Sequence, residues 1–246
     1  MAPRVSIRIS LRWLPDAASE PTDTLVFGVG DYYIDLRVLK SNTSIDWALA
    51  GERQIICTDP SMVSLTSSAS PSYYTNKANQ SREPAVRVRF VSTLDSQGMS
   101  EPDIGDFTTL PDGDELETGK MPCPERGMEI TEYEEVWREI PPVSGSKRAW
   151  ILESVGEGRK VFLGRIGGGY MALGDGKGEA FGARREEWDE EGKRWEVKYK
   201  IGEVDGVPSV ANLGIEGFEG EELWKMGDTV TLLGREYRVR ASELLE

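Results

Sequence analysis

The sequence predicts an all-β protein. Three observations carry that reading: apolar residues recur at every second position in one segment after another, turn-forming residues separate those segments, and 27 glycines with 13 prolines supply the corners of many short strands. Strands of this kind are antiparallel and half-buried, with one face in a core and the other in water.

The elements follow in chain order. Val5, Ile7, Ile9 and Leu11 alternate with Ser6, Arg8 and Ser10, and Ile34, Leu36 and Val38 alternate with Asp35 and Arg37. Val86, Val88 and Phe90 alternate with Arg87 and Arg89. In MEITEYEEVWREI the residues Ile130, Tyr133, Val136, Trp137 and Ile140 keep a helical spacing, so periodicity alone predicts a helix there. The alternative is a strand with Tyr133 and Trp137 on one face. Trp195, Val197, Tyr199 and Ile201 alternate with Glu196, Lys198 and Lys200. The turn 189–193 reads as a hairpin with glycine in a left-handed position, and Leu233-Gly234-Arg235 reads likewise. Residues 64–84 and 100–119 are irregular, the first rich in Ser and Thr, the second acidic.

Pro141-Pro142-Val143-Ser144-Gly145-Ser146 reads as a linker, because proline cannot enter a central strand. It divides the chain into an N-terminal unit, 1–142, and a C-terminal unit, 147–246. The C-terminal unit fits a closed barrel of about eight short strands, the commonest small solution to unpaired edges.

Composition excludes more than it selects. With 43 acidic and 29 basic side chains the formal charge is −14, and both halves are acidic. Nucleic acid and anionic membrane are therefore not expected partners. No run of apolar residues approaches a membrane span, and MAPRVSIRISLRW lacks a signal-peptide core, so a cytoplasmic protein is expected. The absence of histidine removes histidine-activated nucleophiles and histidine-ligated zinc or haem. Cys57 and Cys123 are expected as unpaired thiols. Gly167–Ala172 matches GxGxxA, but the glycines beyond it break any helix, so a glycine-kinked strand is expected and not a dinucleotide site. Asp103, Asp106, Asp112, Asp114 and Glu115 look like calcium ligands without the spacing of a calcium loop, and read as a solvated acidic stretch. Arg184–Glu191 reads as a strand exterior ion-paired to Lys193 and Arg194. No cofactor or metal is expected.

The segments ISLRWLPDAASEPTDTLVF, DYYIDLRVLK and SIDWALAG, then TEYEEVW, KVFLGRIGGGYMALG and GDTVTLLGREYRVRASELL, resemble a fungal family of casein-kinase-interacting proteins with a lipocalin-like fold. The resemblance spans nearly the whole chain. It implies two lipocalin-like antiparallel β-barrels in tandem, with TEYEEVW as a strand. Housekeeping relatives are cytosolic interaction proteins linked to a kinase and the translocon. Relatives in secondary-metabolite clusters resemble cofactor-free hetero-Diels–Alder catalysts that join a tropolone quinone methide to a sesquiterpene such as humulene. After WALAG this sequence departs from the housekeeping pattern: residues 52–80 have no tryptophan and carry adjacent Tyr73 and Tyr74. A retained scaffold with an altered barrel mouth suits a new ligand.

On that reading Trp13, Trp47, Phe90, Tyr133 and Trp137 are expected to bind apolar substrates. Each alone reads more readily as a core residue than as a ligand contact, as do Trp150, Tyr170, Trp188 and Trp195 of the second unit. Arg12, Tyr73, Tyr74 and Arg53 are the candidate catalytic donors, polarising a keto oxygen; the bland reading of each arginine is a surface salt bridge. A non-catalytic interaction protein and a passive carrier of hydrophobic molecules are the alternatives. Exposed sheet edges leave a homodimer open.

Overall fold

Two antiparallel sheets account for the strand pattern in a computed structural model that describes residues 2–56, 86–176, 179–212 and 220–245. The first is a closed barrel of β1 (Arg4–Trp13), β2 (Thr22–Val29), β3 (Tyr32–Leu39), β4 (Ile45–Ile56), β5 (Val86–Asp95), β6 (Asp103–Thr109), β7 (Glu115–Cys123) and β8 (Glu129–Ile140), with β8 pairing back onto β1. The second contains β9 (Arg148–Ser154), β10 (Lys160–Ile166), β11 (Gly169–Gly176), β12 (Glu179–Asp189), β13 (Arg194–Gly202), β14 (Thr229–Leu232) and β15 (Arg235–Leu244). Its order is β13-β12-β11-β10-β9-β15-β14, so it has seven strands, and β13 and β14 do not pair with each other. The architecture agrees with the two-barrel expectation, with only the first unit closed by hydrogen bonds among the described residues. No helix there is long and apolar enough to cross a membrane.

MEITEYEEVWREI is the strand β8, which corrects the helix that periodicity predicts. The segment is apolar on both faces. Tyr133 and Trp137 are buried on the side facing the barrel lumen, whereas Ile140 packs outward against the second sheet. A strand with two apolar faces mimics helical spacing.

The two faces of β2, β3 and β4 are both buried, by different neighbours. Leu25, Phe27, Ile34, Leu36, Ala48 and Ala50 point out of the barrel and form one core with Ala149, Ile151, Phe162, Ile166, Met171 and Leu173 of the second sheet. The opposite faces of these strands point into the lumen. Asp35 and Arg37, whose alternation with Ile34 and Leu36 suggests a water-facing side, are 4% and 8% exposed inside the barrel. Alternation distinguishes two faces of a strand; it does not say whether the polar one meets solvent or a closed interior.

The interior of the second sheet is filled. Trp150, Leu163, Tyr170 and Tyr237 are fully buried against Val204, Val207 and Val210, which come from the stretch after β13. Glu221 closes the same end: it accepts a hydrogen bond from the Trp150 indole at 2.7 Å and pairs with Arg165 at 3.1 Å.

Turns match the sequence in place and differ in one detail. Between β12 and β13 the left-handed residue is Lys193 (φ 50°), not Gly192. Lys193 pairs with Glu190, as expected, and Arg194 lies 3.8 Å from Asp189. At 233–234 both Leu233 (φ 50°) and Gly234 (φ 76°) are left-handed, the geometry that matches strand twist in a two-residue hairpin. Gly167 and Gly168, within the dinucleotide-like motif, are the turn between β10 and β11. The linker docks on this turn: the Gly168 N–H donates to the Val143 carbonyl at 2.8 Å. A Cβ on Gly168 would run into the Ser144 carbonyl oxygen.

Gly168→Val is therefore expected to cost about 2–4 kcal/mol, since backbone of the linker cannot yield as a side chain does. Gly28→Ala, at a strand position where a Cβ meets nothing within 4 Å, is expected to be neutral or slightly stabilising. Urea unfolding midpoints of the two variants against the parent chain check both.

Candidate functional site

The lumen of the first barrel is a cavity of about 540 Å³. β3 contributes Tyr33, Asp35 and Arg37; β4 contributes Trp47, Leu49 and Arg53; β5 contributes Phe90, Ser92 and Asp95. β6 adds Asp103 and Phe107, β7 adds Glu115, Glu117 and Met121, and β8 adds Glu135 and Trp137. These are alternate residues of their strands, except in β5, where a bulge brings Asp95, three residues after Ser92, to the same side. The walls are aromatic: Tyr33 meets Phe90 edge-on at 5.4 Å between ring centroids, and Phe90 meets Phe107 at 6.1 Å.

The same lumen holds ionisable groups in two clusters. In the first, Glu135 Oε1 accepts from Arg8 Nη1 at 2.5 Å and from Arg37 Nη1 at 2.9 Å. Arg37 also donates to Asp35 at 2.9 Å, and its guanidinium lies between the rings of Trp47 (5.3 Å) and Trp137 (5.6 Å). Arg8 further pairs with Glu20 at 2.7 Å. Burial opposes the charge on Arg37, but Asp35 and Glu135 outweigh it and hold its pKa well above the usual value. For Asp35 burial outweighs Arg37 and raises the pKa.

The second cluster surrounds Tyr133. Its hydroxyl lies 3.0 Å from Glu117 Oε1 and 3.3 Å from Asp103 Oδ2. Glu117 Oε2 accepts from the Trp137 indole at 2.8 Å, and Asp103 Oδ1 accepts from the Ile104 N–H at 2.8 Å. Two mid-strand glycines clear the space. A Cβ on Gly105 would collide with the Glu117 carboxyl group, and one on Gly119 would lie 2.6 Å from the Tyr133 hydroxyl. Burial first, then the charges of Glu135 and Asp103, raise Glu117 well above the carboxylate range. Burial and Glu135 raise Asp103 in the same direction.

Of the expected site residues, Arg53, Trp47, Phe90 and Trp137 line the cavity. Burial and then the neighbouring Arg4 pull the Arg53 pKa below the usual guanidinium value. Tyr133 and Trp13 do not line the cavity directly; they are partners across β8 and β1 on the lumen-facing side and meet edge-on at 6.1 Å. Arg12 is a correction: it pairs with Glu134 on the outer side of the barrel. A bulge between Arg8 and Ser10 shifts the register of β1, so Arg8 faces inward while Arg12, four residues on, faces outward. Tyr73 and Tyr74 lie outside the described residues, as does Cys57; Cys123 is a buried free thiol.

Asp35, Arg37, Arg8, Glu135, Glu117 and Asp103 are polar residues of the barrel interior that sequence reasoning did not place there. Charges inside the apolar strands IDLRV and EYEEVW, together with the mid-strand Gly105 and Gly119, are the signals that mark them. Among the described residues no group of three acidic, cysteine or histidine side chains is placed to hold a metal. Asp114 instead makes a two-pronged pair with Arg138 at 2.8–2.9 Å, and Asp106 one with Arg87 at 2.8 Å.

A family model described as Protein HRI1 matches residues 4–239, thus both sheets. Among solved structures, the chain is similar to the crystal structure of an uncharacterized protein, YLR301w, from Saccharomyces cerevisiae. The identity is 18% over 99% of this chain and 100% of that one, with a TM-score of 0.70, a likeness of fold. No curated protein matches the sequence.

Two outcomes follow from the lumen's electrostatics. Arg37→Met leaves Asp35 and half of the Glu135 bonding uncompensated in a closed interior, and is expected to lower stability by about 3–5 kcal/mol in denaturant titrations. Glu117→Gln tests the raised carboxyl. A folded-state pKa above the unfolded one stabilises fully below the unfolded value and is lost as pH rises through the folded value. The melting temperature of Glu117→Gln relative to the parent is therefore expected to climb from mildly acidic to mildly alkaline pH, as read by scanning calorimetry.

Proposed function

The chain belongs to the Protein HRI1 family, and from that premise we propose that its N-terminal barrel binds apolar, carbonyl-bearing small molecules and acts as a cofactor-free cyclase. The reaction is an intermolecular hetero-Diels–Alder addition, with a tropolone quinone methide as heterodiene and a sesquiterpene such as humulene as its partner. The observation that supports this reading is a partly open cavity of about 540 Å³, within the ordinary range for small-molecule sites, with aromatic walls and a few hydrogen-bonding groups. The second sheet, filled by its own side chains, offers no comparable space among the described residues.

Cycloaddition needs little covalent help. Its barrier is largely the entropy of bringing two partners together in register, and a cavity that holds both removes several kcal/mol of it. Trp47, Phe90, Phe107 and Trp137 supply apolar area, worth ~25 cal/mol per Å² covered, to hold the hydrocarbon. The heterodiene needs a donor at its oxygen, where negative charge grows as the new bonds form. Arg53, at the cavity wall, supplies that donor; Arg12 does not, because it lies on the other side of the strand. Neither redox chemistry nor a metal enters the step.

The test mixes purified chain with a quinone-methide precursor and humulene. Faster addition with one stereoisomer in excess is the expected result. Release of bound guest unchanged, seen by native mass spectrometry, makes the protein a carrier; neither binding nor rate enhancement makes it a non-catalytic interaction protein. Phe90→Ala is expected to weaken guest binding about tenfold by removing wall area. Arg53→Met is expected to leave binding in place and slow addition about 100-fold.

A further inference from the structure

Counting hydrogens around Tyr133 leads to a statement about the guest. Three polar groups converge: Asp103 Oδ2 and Glu117 Oε1 lie 3.3 and 3.0 Å from one phenolic oxygen. A phenol carries one hydrogen and donates once; its oxygen otherwise only accepts. Two ionised carboxylates on that oxygen would leave one of them facing a lone pair. The geometry closes only when one carboxyl is protonated and donates to the phenol while the phenol donates to the other.

The two carboxyls are bonded alike. Each has one oxygen on the phenol and one that accepts, Glu117 Oε2 from the Trp137 indole at 2.8 Å and Asp103 Oδ1 from the Ile104 N–H at 2.8 Å. Both line the cavity, and Asp103 is the less buried of the two.

We propose that Asp103, Tyr133 and Glu117 share one proton, which Asp103, the member more open to the cavity, can offer to a neutral acceptor oxygen of the guest. The proposal rests on the small-molecule reading above and names the chemical class that fits it. Without a shared proton the carboxyl pair on Tyr133 would offer a guest acceptors alone. With it, the same pair carries a hydrogen-bond donor on the cavity wall. The surrounding charges hold the proton in place. Glu135 from β8 and Asp35 from β3 disfavour a further negative charge, Asp95 from β5 adds to them, and Arg37 and Arg8 are already committed to Glu135, Asp35 and Glu20. Burial raises both Asp103 and Glu117, in agreement. Asp103 turns its hydrogen from the phenol to a guest oxygen while Tyr133 goes on donating to Glu117, so the phenol oxygen gives up one accepted bond and no carboxyl loses its donor.

The first test needs no ligand. In the full chain labelled with carbon-13 at Asp and Glu, an NMR titration is expected to show a cavity carboxyl still protonated at neutral pH. Asp103→Asn places an amide N–H where the acid hydrogen was, and is expected to fold and to abolish that signal. Glu117→Gln serves as the second variant: its amide donates to the phenol and the phenol to Asp103, so the shared proton is no longer required and its signal is expected to be lost at neutral pH. Absence of a protonated carboxyl in the parent, or its persistence in Asp103→Asn, overturns the proposal. The second test uses two probes of similar size, the conjugated ketone chalcone and the cation benzyltrimethylammonium. Chalcone is expected to bind with its carbonyl stretch shifted to lower frequency, and Asp103→Ala to keep binding and lose the shift. Tighter binding of the cation, or a shift unaffected by Asp103→Ala, overturns the guest assignment. Failure of both probes to bind while the parent keeps its protonated carboxyl counts against the small-molecule reading alone.

Discussion

One carboxylate oxygen, Glu135 Oε1, holds the first barrel to its working shape. It receives a hydrogen bond from Arg8 on β1 and another from Arg37 on β3, so three strands meet at a single acceptor. Charges taken out of water are costly unless geometry and further hydrogen bonds compensate them. Here the compensation is extended: Asp35 neutralises the far side of Arg37, Glu20 and Thr22 bond Arg8, and two indole rings cover the guanidinium faces. The cluster occupies the lumen where a conventional apolar core would stand. That is why the barrel closes and yet stays hollow, since ion pairs and planar rings do not fill space as branched aliphatic chains do.

The apolar energy of the fold lies elsewhere, between the sheets. Phe27, Ile34 and Leu36 on the outside of the barrel face Ile151, Phe162 and Leu173. Gly164 and Gly169 on the second sheet show how close this packing is. A Cβ on the first would lie 2.7 Å from Ile34, and one on the second 2.9 Å from Phe27. The glycine-rich stretch that superficially resembles a nucleotide loop is thus explained by close approach and by the docked linker.

The strands were legible in the sequence and the interior was not. Alternation located β1, β3, β5 and β13, and turn residues located the hairpins at 189–193 and 233–234. Alternation is silent on what each face meets, so Asp35 and Arg37 read as solvated when they are enclosed. The single-residue bulge in β1 reversed the facing of Arg12, and no feature of RISLRW announces it. Trp47, Phe90 and Trp137 were found because large aromatics on alternating strands have few places to go but a core or a cavity wall. Glu117 and Asp103 were missed because a lone acid in a strand usually faces water. Gly105 and Gly119, directly opposite each other in the register of β6 and β7, are the trace they leave.

The covered outer face of the barrel has a bearing on biogenesis. The first eight strands leave the ribosome before the second sheet exists, and a newly closed barrel then displays Leu25, Phe27, Ile34 and Leu36 as a sticky flank. Until β9 to β11 arrive, that flank invites self-association. Expression of residues 1–142 alone would meet the same hazard, so the two halves are one cooperative unit in synthesis as well as in shape.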